Sequence, residues 1–294
     1  MASTKCAPAG TAVSRHPGQR SAGRRGIDHR IAGDSRGSSV LAVPLLEAID
    51  ISKRFGGIMA IRELSLTVEP NEVVGLVGPN GAGKTTLFNC LLGILRCDSG
   101  KVMFDGRSID GMPIYRRARL GIGRTFQRME LFTEMTVRDH LLAAERSRRG
   151  TGGLVLDLLN KGGPTPEERE KVASILDLLG IAHIADLPVE ALTLGHGRLV
   201  ELGRALATEP KLLMLDEPSS GLDRNETAAL GDILAQVTAQ RGTAILLVEH
   251  DLEMVQQVTT RLYVLDFGVL IASGTTSEAL ADAAVREAYL GQTA

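Results

Sequence analysis

Residues 78–86 read Gly-Pro-Asn-Gly-Ala-Gly-Lys-Thr-Thr, and this stretch constrains the fold more than any other. It follows the apolar segment Glu72–Val77 and precedes Lys84–Leu95, whose apolar residues have helical spacing. Glycines allow the backbone to curl so that successive N–H groups face phosphate oxygens, and the positive end of the following helix faces the same point. Strand, loop and helix in this order predict a nucleoside triphosphate site.

Two side chains of this loop carry additional chemistry. The Lys84 ammonium can reach the β- and γ-phosphates, and the Thr85 hydroxyl can ligate Mg²⁺. A chance match to the pattern is the alternative, and the flanking strand and helix argue against it. The predicted nucleotide ligands in the loop are Gly78, Pro79, Asn80, Gly81, Ala82, Gly83, Lys84, Thr85 and Thr86.

A second apolar segment, Leu212–Leu215, ends in the two carboxylates Asp216 and Glu217. We predict that Asp216 holds the hydration shell of Mg²⁺, as in other phosphate-loop ATPases. Glu217 is then available to polarise the attacking water as a general base. An apolar strand that ends in Asp-Glu is common by itself, so this prediction depends on the glycine-rich loop about 130 residues earlier.

With both segments on one chain, residues 45–292 resemble the ATPase of an ABC transporter. Gln127 matches the family glutamine that contacts Mg²⁺ and water, and His250 matches the histidine that contacts the γ-phosphate. Asp223 ends a Ser-Gly-Leu-Asp stretch that resembles the family's D-loop. Phe55 lies where the family stacks an aromatic ring on adenine. The resemblance implies that Glu217 and His250 are catalytic and that Thr85, Gln127 and Asp216 contact the metal.

The signature of the family corresponds here to Leu192-Thr-Leu-Gly-His196, and this segment departs from the usual pattern. Thr193 keeps a hydroxyl that can donate to a phosphate oxygen, and Gly195 keeps an accessible backbone N–H. Leu194 replaces a glycine, and His196 replaces a glutamine. In the family this segment faces the phosphate loop of a second subunit, so the resemblance implies that Thr193, Gly195 and His196 contact ATP in a dimer. A histidine there makes the contact sensitive to pH.

The resemblance implies an α/β fold, namely a P-loop NTPase (RecA-like) core with an antiparallel β subdomain and an ABC-specific helical subdomain. We assign residues 45–127 and 198–294 to the ATP-binding core with its β subdomain, and residues 128–197 to the helical signature subdomain. Residues 1–44 carry a net charge of +5 and have no apolar period, which predicts a disordered tail. An organellar transit peptide and a start codon placed too far upstream are the alternatives.

Composition excludes several classes of protein. Lys+Arg is 33 and Asp+Glu is 35, which argues against binding of nucleic acid by bulk charge. The three cysteines, Cys6, Cys90 and Cys97, have the spacing of neither a disulfide framework nor a metal site. The apolar runs are far shorter than the roughly 18 residues that span a bilayer.

Finer resemblance points to the ATPases of branched-chain amino acid importers. This resemblance rests on four segments, namely Gly121–Gln127, Leu131–Val137, the insert at 150–168 and the ending Ala288–Gly291. It implies ATP and Mg²⁺ as cofactors, with transmembrane permease subunits, a second ATPase subunit and, indirectly, a substrate-binding protein as partners. It places the chain peripherally at the cytoplasmic face of the plasma membrane, without nucleic acid. The alternatives are import of urea or amides, export of lipid or lipopolysaccharide, a soluble ABC ATPase that acts on nucleic acid, and an unrelated P-loop kinase or GTPase.

Overall fold

A computed structural model describes residues 43–125, 131–132, 134–149 and 163–290 of the chain. The strands are β1 (Leu46–Phe55), β2 (Ile58–Val68), β3 (Val73–Val77), β4 (Ser99–Phe104), β5 (Arg107–Ser108), β6 (Ile122–Arg124), β7 (Leu212–Asp216), β8 (Ala244–Val248), β9 (Arg261–Asp266) and β10 (Val269–Thr275). The helices are α1 (Lys84–Leu92), α2 (Ile114–Leu120), α3 (Val137–Arg149), α4 (Pro166–Leu178), α5 (Leu194–Ala207), α6 (Arg224–Arg241), α7 (Leu252–Val258), α8 (Thr276–Ala281) and α9 (Ala283–Leu290). Two predictions lie outside the described residues, namely the structure of residues 1–42 and the placement of Gln127.

A six-stranded sheet with the order β10-β9-β3-β8-β7-β6 forms the core of the described chain. All neighbours pair in parallel except β10, which runs antiparallel to β9. Every residue of β3, β7 and β8 is buried, as expected for parallel strands covered on both faces. The carboxyl ends of these three strands lie at one edge of the sheet, which is where ligands bind in α/β folds.

An antiparallel sheet with the order β2-β1-β4-β5 forms the predicted β subdomain. The apolar pattern alone predicts strands over Leu45–Ser52 and Arg62–Val68, but β1 continues to Phe55 and β2 begins at Ile58. The prediction was too short because the polar residues after Ile51 break the apolar pattern while their backbone still pairs across the hairpin. The turn is therefore only Gly56 and Gly57, which brings Phe55 opposite Ile58.

Helix α1 ends three residues earlier than the predicted Leu95. Gly93 adopts a left-handed conformation with φ 78°, and its N–H bonds to the carbonyls of Asn89 and Cys90. This geometry ends the helix because a left-handed residue reverses the chain direction. Residues 93–98 then lead into β4.

The helices α3, α4 and α5 share one apolar cluster that includes Leu141, Leu176 and Val200. Thr165-Pro-Glu-Glu168 has the sequence pattern of a capping box, and the structure confirms that this box begins α4. The sequence predicts the next helix over Arg198–Thr208, but α5 begins at Leu194 because the Thr193 side chain caps it. One helix therefore crosses the assigned subdomain boundary between residues 197 and 198. Among the described residues, no helix is long and apolar enough to span a membrane.

Candidate nucleotide-binding site

The glycine-rich loop joins the end of β3 to the start of α1. Gly78 has φ 148°, and a Cβ atom there would collide with the Leu265 carbonyl oxygen. Gly83 has φ 100°, and a Cβ atom there would lie 2.5 Å from the Ala60 carbonyl oxygen. Both positions therefore require glycine, because the backbone is left-handed and the neighbouring strands approach it closely. Gly83 is also the N-cap of α1, and it supplies no side-chain acceptor for the first N–H groups of the helix.

Lys84 is held inside this loop. Its side chain is buried, and Nζ donates to the carbonyl oxygens of Gly78 at 2.6 Å and Pro79 at 3.0 Å. Burial lowers the pKa of Lys84, while the charges of Glu217 and Asp216 act in the opposite direction. The ammonium is thus fixed at the loop that the sequence predicted to bind phosphate, next to the two predicted carboxylates.

Asp216 is the last residue of β7 and is largely buried. Burial raises the pKa of its carboxyl to about 6; the charge of Glu217 adds to this effect and that of Lys84 opposes it. Within the described part of the chain, Oδ1 of Asp216 is buried and has no hydrogen-bond partner. A buried carboxylate oxygen without a partner is costly unless a cation or its water satisfies it. The residue therefore fits the predicted contact with hydrated Mg²⁺, together with the exposed hydroxyl-bearing Thr85.

Glu217 follows directly and adopts a left-handed backbone with φ 48°. Its N–H bonds to the Val248 carbonyl at 2.8 Å, so the carboxylate turns from the sheet toward the glycine-rich loop. His250 stands at the end of the neighbouring strand, with Nδ1 4.0 Å from Oε1 of Glu217. The structure therefore brings together the two residues that were predicted to be catalytic.

Glu249 is a residue of this site that the sequence analysis missed. Its carboxylate is completely buried and accepts the N–H groups of Ser219 at 2.9 Å and His250 at 3.1 Å. These bonds tie the loop after β7 to the loop after β8. A charged residue at the end of an apolar strand was the available signal, because such a residue is rarely buried without a bonding role.

The cleft itself has a volume of about 370 Å³. It is lined by residues 80–86 of the loop, Glu217, Ile58, Met59, Ala60 and Phe267. Phe55 is 47% exposed at the end of the β1–β2 hairpin that supplies one wall, with the Lys53 ammonium 5.5 Å from its ring. Phe267 is 84% exposed and reaches the cleft from the β9–β10 turn. Asp266-Phe-Gly268 has the sequence pattern of a hairpin turn, but no periodicity signals that its phenylalanine borders the glycine-rich loop.

The signature residues gather at the N-terminus of α5, next to the start of α6. The Thr193 hydroxyl accepts the N–H of His196 at 3.3 Å, and the Asp223 carboxylate accepts the N–H of Glu226 at 2.9 Å. Glu226 also covers Gly195, where a Cβ atom would lie 2.5 Å from its Oε1. None of the ligands predicted in the signature segment and the D-loop lines the cleft described above, namely Thr193, Gly195, His196 and Asp223. The described chain therefore contains two separate groups of predicted nucleotide ligands.

Comparison with known proteins identifies the family. The model of the ABC transporter family matches residues 61–220. The chain belongs to the ABC transporter ATP-binding family. The predicted fold class and the predicted ATPase activity are confirmed by this membership. A second family model, described as branched-chain amino acid ATP-binding cassette transporter, matches residues 269–294 of this cassette.

Several relatives match nearly the whole cassette. The high-affinity branched-chain amino acid transport ATP-binding protein LivG of Escherichia coli K12 is 37% identical, covering 86% of this chain and all of LivG. The lipopolysaccharide export system ATP-binding protein LptB of Haemophilus influenzae is 36% identical, covering 84% of this chain and 98% of LptB. An ABC transporter cassette solved in its ADP conformation superposes with a TM-score of 0.74 at 34% identity, covering 85% of this chain and 99% of that one.

Proposed function

We propose that this cassette drives uptake of branched-chain or related amino acids through transmembrane permease subunits. The match of residues 269–294 to the branched-chain amino acid model supports this choice, because these residues lie outside the range 61–220 that the general ABC transporter model matches. The similarity to LivG supports it over most of the chain. Lipopolysaccharide export is the second candidate, since LptB is nearly as similar.

The residues of the proposed ATP site have separate roles in hydrolysis. Lys84 and the N–H groups of the loop position the phosphates, and Glu217 accepts a proton from the attacking water. His250, 4.0 Å from Glu217, contacts the γ-phosphate and keeps that carboxylate oriented. Asp216, Thr85 and Gln127 hold Mg²⁺, which when bound neutralises charge on the phosphate oxygens. Phe55 stacks on adenine at the rim.

The signature segment acts on a second copy or a paralogue of the cassette. Thr193, Gly195 and His196 cluster at a helix N-terminus outside the cleft of their own chain, which supports a role at the site of a partner. Asp223 lies at the start of α6 beside this cluster and belongs to the same interface. Two ATP molecules are then enclosed between two cassettes.

A groove beside α2, α3 and α5 is the proposed docking site for the permease. Its volume is about 420 Å³, and its lining is mostly apolar, with Ile114, Phe132 and Met135 among the residues. The Phe132 ring is 66% exposed and lies parallel to the buried imidazole of His140, with centroids 5.9 Å apart. Such a groove suits the apolar face of a short cytoplasmic helix. This contact would hold the cassette peripherally at the cytoplasmic face of the membrane.

Reconstitution tests this proposal. The cassette is co-purified with its permease subunits and placed in vesicles with a substrate-binding protein, and uptake of labelled leucine is measured with the Glu217→Gln variant as control. We expect ATP-dependent uptake that the substitution abolishes. Uptake that is unaffected by Glu217→Gln would refute the mechanism. Extraction of lipopolysaccharide without uptake of amino acids would favour the second candidate.

A further inference from the structure

Helix α2 has an exposed side that the proposed function does not use. Tyr115, Arg116 and Arg119 are exposed there, with 54% of the tyrosine accessible to solvent. Their spacing places them on one face of the helix, because residues three and four positions apart are neighbours. The guanidinium carbons of Arg116 and Arg119 lie 5.9 Å and 5.8 Å from the centre of the Tyr115 ring. These three side chains form one compact surface of two cations and an aromatic ring, which we call the α2 patch.

The opposite side of α2 is anchored to the core by Arg117. This arginine is buried, and its guanidinium donates to the carbonyl oxygens of Leu91 at 2.6 Å, Ile109 at 2.8 Å and Met112 at 3.0 Å. Arg117 lies two residues from both the first and the last residue of the α2 patch, which is about 200° around a helix of about 3.6 residues per turn. The α2 patch is therefore held in place and directed away from the core.

The surroundings of the α2 patch favour an anionic partner. Residues 91–124 contain seven basic and three acidic side chains, although the whole chain carries a net charge of −2. Two of these acids are neutralised elsewhere, since Asp98 pairs with Lys53 at 2.8 Å. In the same way Asp105 pairs with Lys211 at 2.6 Å. In the ranges that the structure describes, neither arginine of the patch forms an ion pair with a carboxylate. The patch is therefore open to a phosphate, which a guanidinium binds through two parallel hydrogen bonds.

Exposed apolar side chains border the patch. Ile114 is the preceding residue of the same helix and is exposed. Ile94 is 46% exposed and follows Gly93, where a Cβ atom would lie 2.8 Å from the Met112 carbonyl oxygen. That close approach brings the chain at Ile94 beside the start of α2. Exposed aliphatic, aromatic and arginine side chains on one surface are typical of proteins that bind at the membrane interface. A soluble anion would pair with the cations but leave the apolar border in water.

The α2 patch also lies beside the groove that we propose as the docking site for the permease. Ile114 and Ala118, on the neighbouring face of α2, line that groove. We propose that the α2 patch binds the headgroups of anionic phospholipids at the cytoplasmic surface of the membrane, next to the permease. Arg116 and Arg119 pair with the lipid phosphates, and Tyr115 lies at the level of the headgroups. The position next to the permease rests on the proposed function, whereas the exposure and the charge of the patch do not.

A single tryptophan tests this contact directly, because the chain contains none. The full-length chain with Tyr115→Trp is mixed with vesicles of phosphatidylcholine and phosphatidylglycerol in equal amounts, and the emission spectrum is recorded. We expect the emission to move to shorter wavelength, brominated acyl chains to quench it, and added salt to reverse both changes. Vesicles of phosphatidylcholine alone should leave the spectrum unchanged, since their surface carries no net negative charge.

Matched variants separate the patch from general adsorption, because residues 1–44, with a net charge of +5, are present in all of them. In the probe chain, Arg116→Gln combined with Arg119→Gln should raise the lipid concentration that gives half of the shift by about tenfold or more. Arg169→Gln combined with Arg286→Gln removes the same charge from exposed positions on α4 and α9. This second pair should leave the lipid dependence unchanged.

A second probe position shows whether the shift belongs to the patch. Val269→Trp lies on β10, at the opposite edge of the six-stranded sheet from β6, into which α2 leads, and its emission should not change. No shift at position 115, equal shifts at positions 115 and 269, or a shift that survives loss of both arginines would overturn the proposal. A probe at position 115 that is shielded only in the complex with the permease subunits would assign the patch to a protein partner and overturn it as well. The vesicles contain no permease, so a transport defect with a normal shift would contradict the proposed function alone.

Discussion

The N-termini of α1 and α5 are both predicted to meet ATP, yet they are built differently. At α1 the N-cap is Gly83 in a left-handed conformation, which leaves the first N–H groups without a side-chain acceptor in the described chain. At α5 the N-cap is Thr193 in an extended conformation, and its hydroxyl accepts the His196 N–H. The first terminus is open to an anion, whereas the second satisfies part of its own hydrogen bonding.

This difference indicates how the two termini share one nucleotide. An open terminus beside the buried Lys84 can bind phosphate within one chain. A capped terminus is stabilised less by a bound anion, because the threonine hydroxyl already accepts one of the helix N–H groups. The same hydroxyl can still donate its own hydrogen to a group outside the helix. The capped terminus is therefore suited to the proposed role of the signature segment, which is to complete the ATP site of a second cassette.

Replacing the cation of the open terminus should have the largest effect. Lys84→Ala removes the ammonium next to Asp216 and Glu217, and we expect ATP hydrolysis to fall by about 10²–10³-fold. Lys101→Ala, on the exposed surface of β4, is the matched control and should leave the rate unchanged. Steady-state ATPase assays of both variants in the assembled transporter provide the measurement. Equal rates for Lys84→Ala and the parent chain would contradict the assignment.

Asp216→Asn should reduce hydrolysis by about 10²-fold while stabilising the fold. The pKa of Asp216 is raised from 3.8 to about 6, so the ionised carboxylate destabilises the folded state above pH 6. This destabilisation disappears below pH 3.8, because the carboxyl is then protonated in both the folded and the unfolded state. Thermal or urea unfolding in the presence of a chelator should show a gain of about 1–2 kcal/mol for the variant at pH 8. The gain should shrink as the pH falls toward 4, and a gain independent of pH would contradict the cause.

Thr193→Ala tests the capped terminus. Loss of the cap should lower the free energy of unfolding by about 1 kcal/mol, and loss of the outward hydrogen bond should lower ATP hydrolysis in the assembled transporter by about tenfold. Thr165→Ala removes a comparable cap at α4 and should lower stability alone. Thr193→Ser should preserve both properties. A hydrolysis rate unchanged by Thr193→Ala would count against any role at a partner's ATP.

Phe55→Ala should give the smallest effect, because stacking on adenine is worth about 1–3 kcal/mol and the ring lies outside the lining of the cleft. We expect the ATP dissociation constant to rise about fivefold or more and the affinity for inorganic triphosphate to remain unchanged. Phe267→Ala is the informative companion, since that ring lines the cleft directly. If only Phe267→Ala weakens ATP binding, the adenine platform has been assigned to the wrong ring.

The open terminus could be predicted from the sequence because its chemistry is local. Gly78, Gly83 and Lys84 lie within one loop, and the φ values that the loop requires allow little besides glycine. Asp216 and Glu217 were equally accessible, since an apolar strand that ends in carboxylates places them at the same sheet edge. For α5 the local signal was present but overlooked, because Thr193 is an ordinary capping residue five positions before Arg198, the predicted helix start.

The remaining features depend on contacts between distant segments. Phe267 reaches the cleft only because β9 pairs with β3 and ends beside the glycine-rich loop. Glu249 binds the N–H of Ser219, thirty residues away in the sequence, across neighbouring strands. Periodicity within one element contains none of this information.

The most direct test of the division between the two termini is a cross-link between two copies. In a chain whose native cysteines are replaced by serine, with Glu217→Gln to retain ATP, Asn80→Cys is combined with Thr193→Cys, and the covalent dimer formed under mild oxidation is measured. We expect ATP to increase the yield of covalent dimer, and we expect chains carrying either single cysteine to give little dimer. Cross-linking that is independent of ATP, or no dimer at all with bound ATP, would contradict this expectation.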